Sequence, residues 1–488
     1  MTSFAWRPIK LCVILASLVL IGSAASAQNQ SNAASKPLPA GQVIDSVPCV
    51  ADPSQAYALY LPSHYSAGKV WPIIYTFDPG ARGKNPVESY KDTAERYGYI
   101  IAASNNSRNF GTEPLSRIVQ AMWDDTHLRL SIDARRIYTM GFSGGARVAT
   151  TLAMRCDKCA VAGVIALGAA YPDSSPPSDQ DHFAYFAIIG DKDFNWAEIM
   201  ELRRKKEQLN APFRLTVFEG IHQWAPAAVF GEAIEWLQLK AMQSGTAPSD
   251  PAFIEQMFAR TQKEAEDALQ HKDAIAEFEA YRSLASDFSG WKDVSQFQAK
   301  LAALKSSAEL KQAFKKQQEA IDKERALTQD LLSKLGQAAE TNLDAQQALA
   351  SAVSDGMATL KHQSEHEKKE EMRLVYVRAF NDVWVEGIET GEAELNVKKR
   401  YGIAEFYFRL MSNVTPDQAW PVLLLAETSA LRGDKKRALK ELREAVKRGI
   451  RHPESVEEDA NLQSLRSEPE FQQMVAEVKA KRESQPAP

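Results

Sequence analysis

Cysteine is scarce in this chain, with four in 488 residues. Cys12 lies in an N-terminal segment expected to be removed, which leaves Cys49, Cys156 and Cys159. The pair in Cys156-Asp-Lys-Cys159 supplies only two metal ligands, and no partner pair exists to complete a zinc site. The expectation is a local disulfide, a Cys49-linked one or plain thiols, with one thiol left over. Excess charge of either sign is also missing: the formal net charge is -5, which gives no reason to expect nucleic acid as a partner. After the N-terminus no run is apolar enough for a membrane span, which takes about 20 residues.

What is present is the length of more than one core, so two or three domains are expected. With 44% hydrophobic and 25% charged residues, the composition is that of a globular protein. Residues 1–27 have the layout of a secretory signal: basic Arg7 and Lys10, a short apolar run and Ala25-Ser26-Ala27. No lipobox-like context precedes Cys12. The mature protein is therefore expected to be exported, to the periplasm or beyond. Residues 28–41 are polar, small and proline-bearing, as a flexible leader is.

From 42 to 240, short β-rich runs alternate with helix-compatible segments: YALYLP, WPIIYTF, YIIAAS, RIYTMGF, VAGVIAL, FAYFAII and FRLTVFEG. Several are apolar without alternation, as strands covered on both faces are. This is the pattern of an α/β domain with a parallel sheet. Residues 241–252 (AMQSGTAPSDPA) read as a linker, and 253–482 as helix throughout, ahead of a short disordered tail at 483–488. The stretch 305–370 predicts one or two long helices. His362 and His366 stand one helical turn apart amid Lys and Glu; lacking a third ligand, they read as a solvated helix face.

Near the end, AWPVLLLAETSALRGDKKRALKELREAVKRG resembles a tetratricopeptide repeat. Leu425 and Ala426 fit its first helix, Gly433 its turn, and Ala438, Leu442 and Ala445 its second helix. Val422 and Ser429 depart from the pattern. DAIAEFEAYRSL repeats one element of it, through Ala274 and Phe278.

The chemistry concentrates in RIYTMGFSGGARVA. Gly141-Phe142-Ser143-Gly144-Gly145 matches G-x-S-x-G, with an apolar strand running into it and a helix-compatible segment following. A nucleophile elbow needs that context: a sharp strand-to-helix turn, glycines to avoid collision, and a helix N-terminus whose N–H groups face developing negative charge. A serine hydroxyl needs a base, and the base needs an orienting acid. His222 is the base, being the one histidine of this part that follows the last strand. Asp193 is the preferred acid because it lies deeper in its loop, and Asp191 is the alternative.

Oxyanion donors are expected from Gly144 and from Gly80 or Ala81 in the loop after WPIIYTF. Asn105, Asn106 and Arg108 follow YIIAAS on the same rim and are candidates for substrate contact, as are Trp196 and Trp224 beside the acid and the base. The mechanism needs no cofactor and no metal.

Through DARRIYTMGFSGG, GDKD and EGIHQW, residues 42–240 resemble the α/β-hydrolases of the small esterase type, in particular the polyhydroxybutyrate depolymerase, feruloyl esterase and dienelactone hydrolase group. Two departures are Asp78-Pro79-Gly80, where such enzymes often carry His-Gly, and Ser143 in place of the elbow Cys of dienelactone hydrolases. The resemblance implies an α/β-hydrolase fold and an acyl-enzyme mechanism on a small or polymeric ester, and leaves the acyl group open. Prolyl-oligopeptidase-like relatives cleave amides with the same triad. A third reading is a helical-repeat scaffold for a protein partner, carrying a vestigial hydrolase. The helical region either recruits a partner or polymer, or leans over the active site as a lid.

Overall fold

The computed structural model describes residues 37–156, 159–172, 174–209, 211–450 and 453–483. The expected signal segment, most of the leader and the extreme C-terminus lie outside these residues.

Eight strands, β1 (Val43–Pro48), β2 (Ala56–Tyr60), β3 (Trp71–Phe77), β4 (Ile100–Ser104), β5 (Ile132–Phe142), β6 (Val161–Leu167), β7 (Ala184–Gly190) and β8 (Phe213–Phe218), form one sheet in the order β1-β2-β4-β3-β5-β6-β7-β8. From β4 across to β8 all neighbours are parallel. The β1–β2 and β2–β4 pairs are antiparallel. Helices connect the parallel strands except β6 and β7, which are joined by a loop, whereas β1, β2 and β3 follow one another without a helix, and a chain that turns back directly runs antiparallel.

Strand β1 was not among the runs expected from sequence. Its VIDSVP carries Asp, Ser and Pro and lies at the sheet edge, largely exposed, where apolar content is not required. By contrast β3, β4 and β7 are buried at every position, and their sequences are correspondingly continuous in apolar residues.

The period of two divides the core between the two faces. Ile73, Tyr75 and Phe77 pack with Met122 of α2 (Leu115–Arg129), Ala146 and Ala149 of α3 (Gly144–Arg155) and Ile199 of α4 (Trp196–Gln208). Ile74 and Ile101 face the other way, onto Val87 and Tyr90 of α1 (Lys84–Tyr97) and onto Phe230, Ile234 and Trp236 of α5 (Ala227–Gln243). A mostly parallel eight-stranded sheet with this order, covered on both sides, is the α/β-hydrolase fold.

The rest is helical: α6 (Pro251–Gln270), α7 (Ala274–Asp287), α8 (Ser295–Ser306), α9 (Ala308–Ala339), α10 (Leu343–His366), α11 (Glu370–Asn396), α12 (Tyr401–Val414), α13 (Trp420–Leu431), α14 (Lys435–Lys447), the short α15 (Glu454–Glu457) and α16 (Pro469–Glu483). Five starts are set by side-chain caps: Asp250, Asp273, Ser307, Asn342 and Asp434 each accept a backbone N–H of the following turn. The segment 305–370 forms two long helices, α9 and α10. In the α13–α14 hairpin Gly433 takes φ 81° at the turn, and Ala438, Leu442 and Ala445 pack on Val422, Leu423 and Ala426. No described helix is long and apolar enough to cross a membrane.

Residues 244–250 join α5 to α6, yet the two parts share a core. Leu239 and Met242 of α5 pack with Ile254 and Met257 of α6 and with Leu284 of α7. Beside this core Asp287, 4% exposed, accepts the Trp236 indole N–H at 3.0 Å and pairs with Lys240 at 2.7 Å. Asp287→Ala strips a buried indole of its acceptor and an ammonium of its counter-charge, and is expected to cost about 3 kcal/mol. Urea titration would show this as an earlier transition, and an unchanged midpoint would remove Asp287 as the clasp.

Candidate active site

Strand β5 ends at Phe142 and α3 starts at Gly144, so Ser143 alone makes the turn, at φ 54° and ψ -126°. A non-glycine residue is strained there, and tight packing holds it. The Ser143 N–H donates to Leu167 O at 2.8 Å. A Cβ on Gly141 would stand 2.1 Å from Gly145 O, and one on Gly145 would stand 2.1 Å from Phe77 O. Only glycine lets the first turn of α3 lie this close to β3 and β5. The Gly144 N–H, at the helix start, has no acceptor among the described residues.

Ser143, 9% exposed, sits at the carboxyl end of the sheet, where the loops after β7 and β8 also arrive. Asp193 and His222 come from those loops, and His222 Nδ1 lies 2.8 Å from Asp193 Oδ2. Asp193 is 1% exposed, and its other oxygen accepts the Asn195 N–H at 2.9 Å. The imidazole packs between Phe142, the neighbour of Ser143, and Phe194, with ring centroids at 4.5 and 4.3 Å. Its Cε1 would be 3.0 Å from a Cβ on Gly168, so this glycine leaves the ring its space. Neither the Ser143 hydroxyl nor His222 Nε2 makes a hydrogen bond among the described residues. In unliganded enzymes this contact often closes only around substrate.

Asp191 has a different task. Its Oδ1 accepts the Gly220 N–H at 2.8 Å, tying the acid loop to the histidine loop two residues before His222. Among the described contacts, the carboxylate that meets the imidazole is that of Asp193.

The loop after β3 folds on itself. The Gly80 N–H donates to Asp78 Oδ1 at 2.8 Å, and the Ala81 N–H to Asp78 O at 3.1 Å, with Ala81 at φ 59°. Both proposed donors are spent within their own turn. Asp78, 1% exposed, also accepts from Arg82 Nε at 2.8 Å and from the Trp224 indole at 2.9 Å. Trp224 is thus pinned beneath the rim, against Phe142 and Tyr90.

Asn105 and Asn106 are likewise occupied. Asn105 donates to Asp45 O at 3.0 Å, and Asn106 accepts the Ala56 N–H at 2.8 Å while donating to Ser54 O at 3.0 Å. They stitch the end of β4 to the edge hairpin. Arg108 is exposed and is attracted electrostatically by Asp459 of the helical region. Trp196 carries the guanidinium of Arg378 4.2 Å above its ring.

Asn109 went unnoticed in the sequence. Its side chain stands where a Gly144 Cβ would be, with Oδ1 2.0 Å from that point, so its amide lies beside the elbow. The helical region reaches the same rim. On α11 burial raises the Glu389 carboxyl, with the Glu386 charge adding to the effect and His222 and Arg147 opposing it.

Cys156 and Cys159 form a disulfide, and Cys49 is free and buried, its thiol pushed up to about 12 by burial. The rings of His362 and His366 stack at 4.3 Å. Among the described residues no three His, Cys, Asp or Glu side chains converge to hold a metal.

No family model matches the sequence, and none of the curated proteins does. Solved structures with similarity include an S-formylglutathione hydrolase of Staphylococcus aureus, 12% identical with a TM-score of 0.32, aligned over 41% of this chain and 99% of that one. The feruloyl esterase module of Clostridium thermocellum is 17% identical with a TM-score of 0.31, over 41% and 88% of the two chains. Dipeptidyl peptidase 4 of Porphyromonas gingivalis is 14% identical with a TM-score of 0.30, over 38% and 33%.

Two carboxyls on α11 are raised by burial: Asp382 to about 6, and Glu392 to about 7 with the Glu389 charge adding. The unfolded chain titrates them near 4, so between about pH 4 and 7 the folded state holds the extra protons. Their stabilisation is complete below that window and is lost as pH rises through 6 and 7. The thermal midpoint is expected to be higher at pH 5 than at pH 8, and Asp382→Asn with Glu392→Gln should shrink that difference, part of which stays with Glu324, raised to about 7 by burial. A difference unchanged in the double variant would refute this assignment.

Proposed function

We propose that the protein is a serine hydrolase that cleaves carboxylic esters through an acyl-enzyme. The observation that carries this reading is the 2.8 Å contact between His222 Nδ1 and a buried Asp193, at the rim where a strained Ser143 starts a helix. A carboxylate on Nδ1 fixes the tautomer that leaves Nε2 as a proton acceptor and stabilises the imidazolium that follows.

In the reading's first step Ser143 Oγ attacks the ester carbonyl carbon, and His222 Nε2 takes the hydroxyl proton. The carbonyl oxygen becomes an anion facing the Gly144 N–H, where the start of α3 offers an unused donor and the positive end of the helix dipole. Collapse breaks the bond to the alkoxy oxygen, which leaves with the proton from His222. Water then attacks the acyl-enzyme, its proton again passing to His222, and releases the acid and Ser143. The Asn109 side chain lies beside Gly144, and its Nδ2 is the candidate second donor of this reading, since the Gly80 and Ala81 N–H groups are engaged in their own turn.

On short p-nitrophenyl esters, Ser143→Ala should abolish turnover. Asp193→Asn should lower kcat by about 10⁴-fold, the scale of the equivalent change in trypsin-like triads. Asp191→Asn keeps the histidine's partner and should lose far less. An ester and an amide of one acyl group should be cleaved with the ester strongly preferred. Undiminished hydrolysis by Ser143→Ala would sink the reading, and equal amide cleavage would shift it to a peptidase.

A further inference from the structure

Resting on the serine hydrolase reading, we propose that Arg378 of the helical region is a positioning residue for the triad acid: it holds the loop 190–196 in the shape that presents Asp193 to His222. The contacts that carry this proposal cross between the two parts of the chain. Arg378 is 3% exposed, and its Nη1 donates to Asp191 O at 2.9 Å. Its Nε donates at 2.7 Å to Glu324 of α9, itself 4% exposed, and its guanidinium lies 4.2 Å above the Trp196 ring. One turn further along α11, the Asn381 amide donates to Lys192 O at 3.2 Å.

The N–H groups of Asp191 and Lys192 tie the acid loop to Phe218 O and Gly220 O, each at 2.9 Å, and the Asn195 amide donates to Gly168 O at 2.7 Å. The Asp193 N–H reaches Gly190 O at 3.2 Å, and the Trp196 N–H reaches Asp193 O at 3.0 Å. The carbonyls of Asp191 and Lys192, directly before the acid, find their described donors only on α11. A planar guanidinium suits this place because it can donate in two directions in its plane while stacking on an indole. Glu324 offsets the buried charge, and a buried charge is tolerated when it is paired and hydrogen-bonded. The helical region therefore supplies part of the active-site scaffold from a distance of 187 residues in sequence.

The test is a double-mutant cycle in the full-length chain, with circular dichroism and thermal melting to verify folding. Arg378→Met should lower kcat on a p-nitrophenyl ester about 10- to 100-fold, with KM changed less than about 3-fold, since a misplacement near 1 Å costs on that order. In an Asp193→Asn background the same change should cost nothing further, because the group it positions is already lost. Arg378→Lys, which keeps the charge but not the fork, should fall between wild type and Arg378→Met. Losses that multiply in the double variant, or a folded Arg378→Met within about 3-fold of wild type, would overturn the proposal.

If Arg378→Met does not fold, Asn381→Ala makes the same test through Lys192, with a smaller loss that also vanishes in the Asp193→Asn background. Asn381→Ala losses that persist there would overturn it. A second readout needs no substrate: the far-downfield proton NMR signal of His222 Nδ1–H bonded to Asp193. It should survive Ser143→Ala and weaken or move in Arg378→Met. A signal unchanged in Arg378→Met contradicts the positioning role, whatever the fate of the hydrolase reading, which Ser143→Ala tests separately.

Discussion

A buried carboxylate must be paired or hydrogen-bonded, and at the rim of this sheet the obligation falls on Asp193. Water cannot satisfy a side chain that is 1% exposed, so its oxygens take the Asn195 N–H and the imidazole of His222. That pairing orients the ring and leaves Nε2 without a partner among the described residues. The fold carries the segments holding Ser143, Asp193 and His222 to one end of the sheet because β5, β7 and β8 are parallel. Much else in the neighbourhood keeps these loops still.

Two further aspartates serve that end. Asp78 gathers the turn after β3, Arg82 and the Trp224 indole around one carboxylate. Asp191 ties the histidine loop through Gly220. Each holds backbone from within the α/β part, whereas the carbonyls just before Asp193 are held from outside it, by Arg378 and Asn381. Together with the core shared by α5, α6 and α7, this gives the long helical segment a structural meaning beyond a tethered module.

The alternation of strands and helices was legible because fully covered strands must be continuously apolar, as WPIIYTF and FAYFAII are. The edge strand VIDSVP escaped because an exposed edge needs no such signal. Ser143 could be read from the glycines that a tight elbow demands, and His222 and Asp193 from their places after the last strands. The rim donors could not be read this way. Whether Gly80 and Ala81 face a ligand or their own turn depends on where Asp78 points, and whether Asn105 and Asn106 face substrate depends on an edge hairpin that the sequence barely announces. Asn109 and Arg378 were invisible for the same reason. Their significance lies in what a distant segment places beside them, and no local pattern encodes that.

The central claim is that one hydroxyl in this chain is made nucleophilic by the pair behind it. Labelling with a fluorophosphonate, followed by peptide mass spectrometry, reads this without knowledge of the substrate. The account predicts a single adduct, on Ser143, formed rapidly in the wild-type protein and scarcely at all in His222→Ala. An adduct on another serine, or labelling of Ser143 at the same rate without His222, would contradict it.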